Sequence, residues 1–567
     1  MRKWLIVGIL LLGFLLRSYD LYSYPSGFTP DEASFGYDAY SILKTGRDQW
    51  EKQFPLSLES FGDFKPPLYA YVLVSSVALL GLNKFSVRFP NALAGTLAIL
   101  FTYLMVKELF GSEKEGFFAS KYKGVAKIAS LLLAVSSWHA MLSRGGFEAN
   151  LTTLLTPLAV YLFIKGLKKP KALIFSALVF GLNLFSYHSA RVVTPLLMIL
   201  LVFTYRKEIT VINKKQLLVP IFVFSVFLSL MIYSFFEGAG KRVADRSILQ
   251  GALEEAAGPR LELINKGYPP FIARLIHNKY QVAVRRFTNN YGQYFSGKFL
   301  FTEGPAEATY GMIPGRGVLY WFELPFLLSF IVLLIKSKEK RLLIFLLGWL
   351  LISPIPAALA TGRGYAGNRA ATMIPSIQVI LALGAVYLDA ISRKVVKGRL
   401  GNYIRAEYIF VSLVFFIFFI KDYFASPPQI LAQATLYGNL EAAAWLSSNA
   451  GSTQIVISRK LSEPHIYVAF ANKWNPVSYQ EATKDWSRYK KEGLLFLDQL
   501  GEYRLGNYTF SDIDLERYRQ KKVLLVGKPE EFPQGIESSI VKTFYYPDRD
   551  PAILVVDPTV QSYAKAY

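Results

Sequence analysis

A series of long apolar runs, separated by short basic clusters, constrains the fold of this 567-residue chain more than any other feature. Only 18% of its residues are charged and 52% are hydrophobic, whereas soluble domains average about a quarter charged. A segment that crosses a bilayer must satisfy its backbone hydrogen bonds internally, which makes each apolar run a helix. The pattern therefore predicts an α-helical polytopic membrane protein.

The basic clusters set the predicted topology, because cytoplasmic loops carry an excess of Lys and Arg. The run at residues 68–82 is interpreted as a juxtamembrane helix, since a crossing there would place the basic segment 107–127 outside. The N-terminus is then cytoplasmic in a multi-pass protein of the cell (plasma) membrane, and the outer face carries a first loop, 18–88, and a long loop, 236–319. About eleven spans are predicted, at residues 4–16, 89–106, 128–142, 151–164, 172–187, 192–205, 217–235, 320–335, 342–360, 371–391 and 408–420.

The composition changes at about residue 426 to that of a soluble domain. We therefore divide the chain into a transmembrane domain, 1–425, and a small extracytoplasmic α/β domain, 426–567. A helix-like segment is predicted at 440–448. Short apolar runs of strand type occur at 454–458, 494–497, 523–526 and 552–556.

Several classes of function are disfavoured by composition. The net charge of +22 lies mainly in clusters between apolar runs, which suits anionic headgroups of membrane lipids rather than nucleic acid. The chain has no Cys, which excludes disulfides, thiolate metal sites and a Cys nucleophile. Four His residues make a His-rich metal cluster a poor interpretation.

A helix over Pro30–Thr45 is predicted in the first outer loop. Thr29 can cap it, Pro30 suits its first turn, and Glu32 occupies the acidic position of a capping box. Asp31 lies in the same turn, where the partial positive charge of the helix end favours a carboxylate. Two acids at a membrane surface form a candidate base site, although acids in a first turn also serve ordinary capping.

The outer loops carry an unusual set of polar residues, which together suggest a polar cavity. Cations suited to bind a donor phosphate are Lys65, Arg144, Arg191, Arg363 and Arg369. Each Arg could instead anchor a helix end at lipid headgroups, Glu148 could pair with Arg144, and His188 could be a neutral interface residue. Further lining residues predicted for the site are Asp63, Tyr187, His188 and Tyr365.

This set of acidic and basic residues suits the transfer of a sugar from a polyprenyl phosphate. The leaving phosphate needs its charge neutralised, and one carboxylate suffices to deprotonate the acceptor hydroxyl. Asp31 is the predicted base, and direct displacement inverts the anomeric centre.

Five segments resemble a known family: PDEASFGYDAYSILKTGRD, GDFKPPLYAY, LNKFSVRFPNALAG, SRGGFEANL and SPIPAALATGRGYAGNRAATMIP. They look like the membrane glycosyltransferases of the protein O-mannosyltransferase and aminoarabinose-transferase type, which are type C glycosyltransferases that use polyprenyl-phosphate sugars. The resemblance implies that Asp31 is the catalytic acid of the first outer loop, with Glu32 beside it, that Lys65 lies near the donor phosphate, and that Glu148 is the acid of the second outer loop. Phe64 stands where some relatives have an acid, with Asp63 one position earlier, so a divalent metal remains possible but unassigned.

Other functions fit parts of the pattern. A transporter or lipid flippase would also have many spans and buried charges, but internal repeats are expected there and none is evident. A non-catalytic scaffold would tolerate replacement of Asp31, and an oligosaccharyltransferase with a pyrophosphate donor needs more acids. The predicted partners are therefore a polyprenyl-phosphate-linked sugar, membrane lipids and a protein, lipid or glycan acceptor.

Overall fold

The structure, a computed structural model, describes residues 2–111, 124–240, 246–305, 307–362, 366–396, 399–425 and 429–559. The α-helices of the first 425 residues are α1 Arg2–Ser18, α2 Pro30–Thr45, α3 Leu68–Leu80, α4 Lys84–Gly111, α5 Val125–Val135, α6 Ser137–Leu142, α7 Leu151–Lys168, α8 Lys171–Asn183, α9 Ala190–Thr204, α10 Arg206–Thr210, α11 Lys214–Ser234, α12 Ala252–Asn265, α13 Pro270–Ile276, α14 Lys279–Gln293, α15 Leu324–Lys336, α16 Arg341–Ile352, α17 Ile355–Ala358, α18 Ser376–Val395 and α19 Arg399–Ile420.

The apolar runs of the sequence coincide with helices, and each of the predicted spans overlaps one helix or two consecutive ones. Within the described ranges, six helical stretches are long and apolar enough to cross a membrane. The number of crossings and the side of each terminus stay predictions. The six stretches are Lys84–Gly111, Glu148–Lys168, Lys214–Gly238, Arg341–Ala358, Ala371–Val395 and Leu400–Ala425.

The predicted helix of the first outer loop is present with the predicted limits, Pro30–Thr45. The Thr29 hydroxyl accepts a hydrogen bond from the Glu32 amide, and the Glu32 carboxylate accepts one from the Thr29 amide at 3.0 Å. This reciprocal pair satisfies two amide groups that a helix start otherwise leaves unpaired. Gly46 ends α2 with φ of 72°, a left-handed conformation that glycine adopts without a steric penalty.

A short hairpin joins α2 to the helix expected to lie along the membrane. Its strands, β1 Leu58–Ser60 and β2 Asp63–Lys65, are antiparallel and turn at Phe61 and Gly62, which both have positive φ. Two prolines follow, and α3 starts directly after them. The hairpin therefore fixes Lys65 at the entrance of α3.

The chain after residue 428 forms an α/β unit, called here the C-terminal unit (residues 429–559). Its mixed sheet has the order β4-β5-β3-β6-β8-β7, with β3 parallel to β5 and β6 and the remaining pairs antiparallel. Its elements are α20 Gln429–Ala434, α21 Asn439–Asn449, β3 Gln454–Ser458, α22 Pro464–Ala471, α23 Pro476–Trp486, α24 Arg488–Lys491, β4 Glu502–Leu505, β5 Tyr508–Ser511, α25 Leu515–Tyr518, β6 Val523–Gly527, β7 Ile540–Tyr545 and β8 Pro551–Val556.

One predicted strand of this unit, at 494–497, was wrong. The Gln499 side chain accepts hydrogen bonds from the amides of Leu495 and Phe496, and the Leu497 amide donates to the Phe61 carbonyl at 3.0 Å. The backbone amides that a β-sheet would need for pairing thus donate to the Gln499 side chain and to the first outer loop instead. The segment is a loop that contacts the β1–β2 hairpin.

The C-terminal unit packs directly on the first outer loop. The Tyr467 hydroxyl donates to the Phe28 carbonyl at 2.7 Å, and the Tyr37 hydroxyl of α2 donates to the Trp474 carbonyl at 3.0 Å. Gly36 of α2 allows the close contact between α2 and the C-terminal unit, since a Cβ at this position would lie 2.6 Å from the Phe470 ring. The helix that carries Asp31 is therefore held partly by the C-terminal unit.

Candidate active site

Asp31 lies at the exposed start of α2, in contact with a buried lysine. Its side chain is 40% exposed, and its Oδ1 atom lies 2.5 Å from Lys65 Nζ. Lys65 is only 4% exposed, with its ammonium group 4.9 Å from the centre of the Phe35 ring and 5.2 Å from that of Phe61. Aromatic faces attract a cation, so these rings hold Lys65 against the carboxylate. The structure thus brings together two residues that are 34 positions apart in the sequence (65 − 31).

Glu32, which the sequence analysis grouped with Asp31 in a candidate base site, is buried and does not face the solvent. Its carboxylate accepts from Arg88 Nε at 2.7 Å and from the Gly146 amide at 2.9 Å, and both charged side chains are fully buried. Burial alone would raise the pKa of Glu32, but Arg88 and the hydrogen bonds lower it below its usual value. Glu32 therefore acts on the site by positioning: it fixes the turn that presents Asp31. Arg88 also donates to carbonyl groups of the loop before α2, those of Leu21, Pro25 and Gly27.

Two of the predicted phosphate ligands, Arg144 and Arg191, are buried at helix ends. Arg144 donates to the Leu16 carbonyl at 2.7 Å and lies 4.7 Å from the Phe424 ring, so it ties the end of α1 to the end of α19. Arg191 starts α9 and lies 5.4 Å from the Phe235 ring. The contacts of Arg144 are those of a helix anchor, one of the two interpretations drawn from the sequence, whereas the phosphate-binding role of Arg191 stays a prediction.

A cavity of about 390 Å³, called here the Asp31 cavity, opens in front of the Asp31 carboxylate. Three parts of the chain form its wall: the first outer loop, the long outer loop and the C-terminal unit. It has the size of pockets that hold small ligands. Its principal lining residues are Asp31, Phe61, Asp63, Thr309, Tyr310, Leu436, Ser462, Glu463 and Phe496.

Tyr310 connects this cavity with the second acidic loop. Its ring contacts that of Phe147 at 5.2 Å, next to Glu148, which is 6% exposed. Burial, and then the negative charge of Asp31, raise the pKa of Tyr310 well above its usual value, so the phenol stays protonated. Tyr187 and Glu148 are among the other groups whose charge acts on it. Tyr310 thus shares a cavity wall with Asp31 and contacts the loop that carries Glu148, whereas Tyr187 lines the cavity described next.

A second cavity, of about 500 Å³, is called here the His188 cavity. Its wall is largely apolar and carries His188, Arg246 and Arg369, with Val192 of α9 and the residues that follow α17. His188 Nε2 donates to the Phe64 carbonyl at 3.0 Å, which ties the wall to the segment that precedes Lys65. Arg369 donates to the Thr361 carbonyl at 3.1 Å. A ligand with an apolar chain and an anionic end would fit this apolar wall and its arginine side chains.

A third cavity, of about 250 Å³, lies between the other two. It shares Asp63 and Phe496 with the Asp31 cavity and Arg246 with the His188 cavity. Arg363 and Tyr365, the remaining predicted site residues, lie outside the described residues.

Sequence reasoning missed Tyr310, Arg246, Arg88 and Glu463. Arg88 stands inside one of the family-like segments, LNKFSVRFPNALAG, which is the signal that could have found it. The other three lie in stretches without a recognisable pattern. Only the folded chain brings them to the cavities.

Among the described residues, one group has the composition of a metal site: Glu463, His465 and Asp498, whose ligand atoms lie within 4.8 Å of one another. His465 Nδ1 already faces the Tyr503 hydroxyl at 3.1 Å, and Asp498 accepts from that hydroxyl and from the Glu463 amide. The group is thus connected as a hydrogen-bond network, and the mechanism below uses no metal.

Comparison with known proteins bears on the fold. The sequence model of the dolichyl-phosphate-mannose-protein mannosyltransferases matches residues 64–233. The crystal structure of ArnT from Cupriavidus metallidurans bound to undecaprenyl phosphate superposes with a TM-score of 0.52, over 98% of this chain and 97% of that chain, at 10% identity. The chain has the type C glycosyltransferase fold. The resemblance drawn from the sequence motifs is thereby confirmed.

Curated relatives match only in part. An uncharacterized protein of Aquifex aeolicus is 26% identical over 175 residues, 31% of this chain and 32% of that protein. The putative mannosyltransferase YkcB of Bacillus subtilis is 30% identical over 107 residues, 19% of this chain and 13% of that protein. The chain spans less than a third of the length of either relative.

Proposed function

We propose that this protein is an integral-membrane glycosyltransferase that moves a sugar from a polyprenyl phosphate to an acceptor hydroxyl or amine at the outer face. The observation that carries the proposal is the Asp31 carboxylate in the wall of the Asp31 cavity, paired with the buried Lys65. A partly exposed carboxylate can accept a proton there, and a cation lies in contact with it. The type C glycosyltransferase fold supports this interpretation.

The reaction needs one bond to form while another breaks. The acceptor oxygen attacks the anomeric carbon, and the bond from that carbon to the phosphate oxygen breaks, its electron pair leaving on the phosphate. The proton of the acceptor hydroxyl passes to the Asp31 carboxylate. A cation near the leaving oxygen stabilises the charge that develops on it. Lys65, buried against Asp31, positions the carboxylate that accepts the proton.

The His188 cavity suits the donor lipid. Its apolar wall matches a polyprenyl chain, and Arg246 and Arg369 match the phosphate, since a guanidinium group can bind two phosphate oxygens at once. Arg246 also lines the cavity that leads towards Asp63. A lipid phosphate held at these arginines would direct its sugar towards Asp31.

The test is transfer by the purified protein reconstituted in liposomes. We expect labelled hexose to pass from a polyprenyl phosphate to an acceptor, with stoichiometric release of polyprenyl phosphate, and no transfer from nucleotide sugars. Liposomes without protein and liposomes with heat-denatured protein serve as controls. Transfer from a nucleotide sugar, or movement of the intact donor across the bilayer without cleavage, would contradict the proposal.

A further inference from the structure

The C-terminal unit supplies part of the wall of the Asp31 cavity. Ser462 and Glu463, which lie between β3 and α22, face it together with Leu436 and Phe496. The unit is fixed there by its hydrogen bonds to Phe28 and to α2. The C-terminal unit therefore brings polar side chains to the same cavity as Asp31.

Glu463 is a carboxyl-bearing residue of that wall and lies next to Asp498. It is 9% exposed, and its Oε2 atom has no hydrogen-bond partner among the described residues. Burial, and then the charge of Asp498, raise the pKa of Glu463 well above its usual value, which favours the protonated carboxyl group. A neutral carboxyl group both donates and accepts hydrogen bonds, as a hydroxyl-bearing ligand requires.

The backbone around the cavity is held in an uncommon conformation. Phe61, Leu436, Ser462 and Glu463 are non-glycine residues with φ between 53° and 56°, and all four line the cavity. Such residues cost free energy and persist where the surroundings enforce them, which is typical of binding and catalytic sites. The strain at Ser462 and Glu463 turns this corner of the C-terminal unit towards Asp31.

The two larger cavities differ in their charged lining residues. The His188 cavity carries arginines, whereas the Asp31 cavity carries Asp31 and Asp63, with Lys65 already paired to Asp31. Negative groups repel an anionic ligand, and the aromatic side chains of Phe61, Tyr310 and Phe496 suit the apolar face of a sugar ring.

We propose that the Asp31 cavity is an acceptor subsite for an uncharged saccharide, in which Glu463 of the C-terminal unit binds an acceptor hydroxyl group. The inference rests on the proposed glycosyltransferase function and names the acceptor class for it. It assigns Glu463 a specificity-determining role, whereas Asp31 remains the base. A phosphorylated acceptor would meet no Lys or Arg among the described residues that line this subsite, and it would face the carboxylate of Asp63.

The first arm of the test measures binding without catalysis. Methyl mannoside and methyl glucoside are added to the protein in nanodiscs without donor, and saturation-transfer NMR reports binding. We expect binding to the wild type, binding about tenfold weaker to Glu463→Ala, which loses one hydrogen bond, and recovery in Glu463→Gln, which keeps a donor and an acceptor. Glu516→Ala, at an exposed position of the same unit, is the control and should bind as the wild type does.

The second arm measures transfer from a polyprenyl-phosphate hexose to octyl mannoside or octyl glucoside. Glu463→Ala should raise the acceptor KM about tenfold, with the donor KM unchanged and kcat within about threefold. A purely structural residue would lower the folded fraction and leave both KM values alone. Competition by the 6-phosphate of the methyl glycoside should be absent.

Each outcome decides one claim. Glycoside binding that depends on Glu463, without any transfer, would retain the subsite and overturn the glycosyltransferase proposal. Transfer with an acceptor KM that Glu463→Ala leaves unchanged would retain the transferase and overturn the subsite. Transfer only to a phosphorylated glycoside or to a serine-containing peptide would overturn the uncharged saccharide as acceptor class.

Discussion

Replacing Asp31 by Asn is expected to lower kcat for sugar transfer by about a hundredfold or more, with the donor KM changed far less. Asn keeps the size of the side chain but cannot accept the acceptor's proton, and general-base catalysis contributes about 10²–10⁴-fold. Thr29 and Glu32, not Asp31, form the capping box of α2, so the helix start should survive the substitution. Transfer is measured with a labelled polyprenyl-phosphate hexose in reconstituted liposomes.

The control is Asp20→Asn, at an exposed acid of the first outer loop that does not line the Asp31 cavity. Its side chain accepts from the Ser23 amide, and Asn can preserve that bond. We expect wild-type rates there. Equal rates for Asp31→Asn and the wild type would remove Asp31 from the mechanism.

The second large effect concerns stability. Replacing Arg88 by Leu leaves the fully buried Glu32 carboxylate without its cation and frees carbonyl groups of the preceding loop. Loss of one partner from a buried ion pair costs about 3–5 kcal/mol, so we expect a marked fall in thermal stability in detergent and early proteolysis of the first outer loop.

A second substitution distinguishes the loss of the Arg88–Glu32 ion pair from a general loss of packing. In Arg88→Leu combined with Glu32→Gln, no buried charge is left unpaired, and part of the stability should return. Arg47→Leu is the matched surface control, because the Arg47–Glu51 pair is exposed and such pairs contribute about 0–1 kcal/mol. Equal losses for Arg88→Leu and Arg47→Leu would contradict the positioning role of Glu32.

Local signals in the sequence predicted local structure well. The caps of α2 are set by residues next to each other in the chain, so Thr29, Pro30, Glu32 and Gly46 predicted its limits. The apolar runs likewise predicted the positions of the long helices, because hydropathy is a property of a contiguous segment. The run at 494–497 has the composition of a strand, but a side chain and the first outer loop bind its backbone instead.

The sequence did not predict which distant residues contact one another in the fold. Arg144 and Lys65 both read as cations of the outer loops, yet one is enclosed by carbonyl groups and aromatic rings and the other contacts Asp31. Nothing in a single sequence distinguishes them, because the difference arises from partners more than a hundred positions away for Arg144 and 34 for Lys65 (65 − 31). Glu463 belongs to a unit in which no catalytic motif is evident, and it reaches the site only through packing of that unit on α2.

The central claim is that Asp31 acts as a base in a single displacement at the anomeric carbon. The measurement that tests it most directly is the anomeric configuration of the first-formed product, read by NMR after transfer from a polyprenyl-phosphate sugar of known configuration. A base-assisted single displacement predicts inversion. Retention would contradict the account, because two successive displacements through a covalent glycosyl intermediate would make the carboxylate a nucleophile.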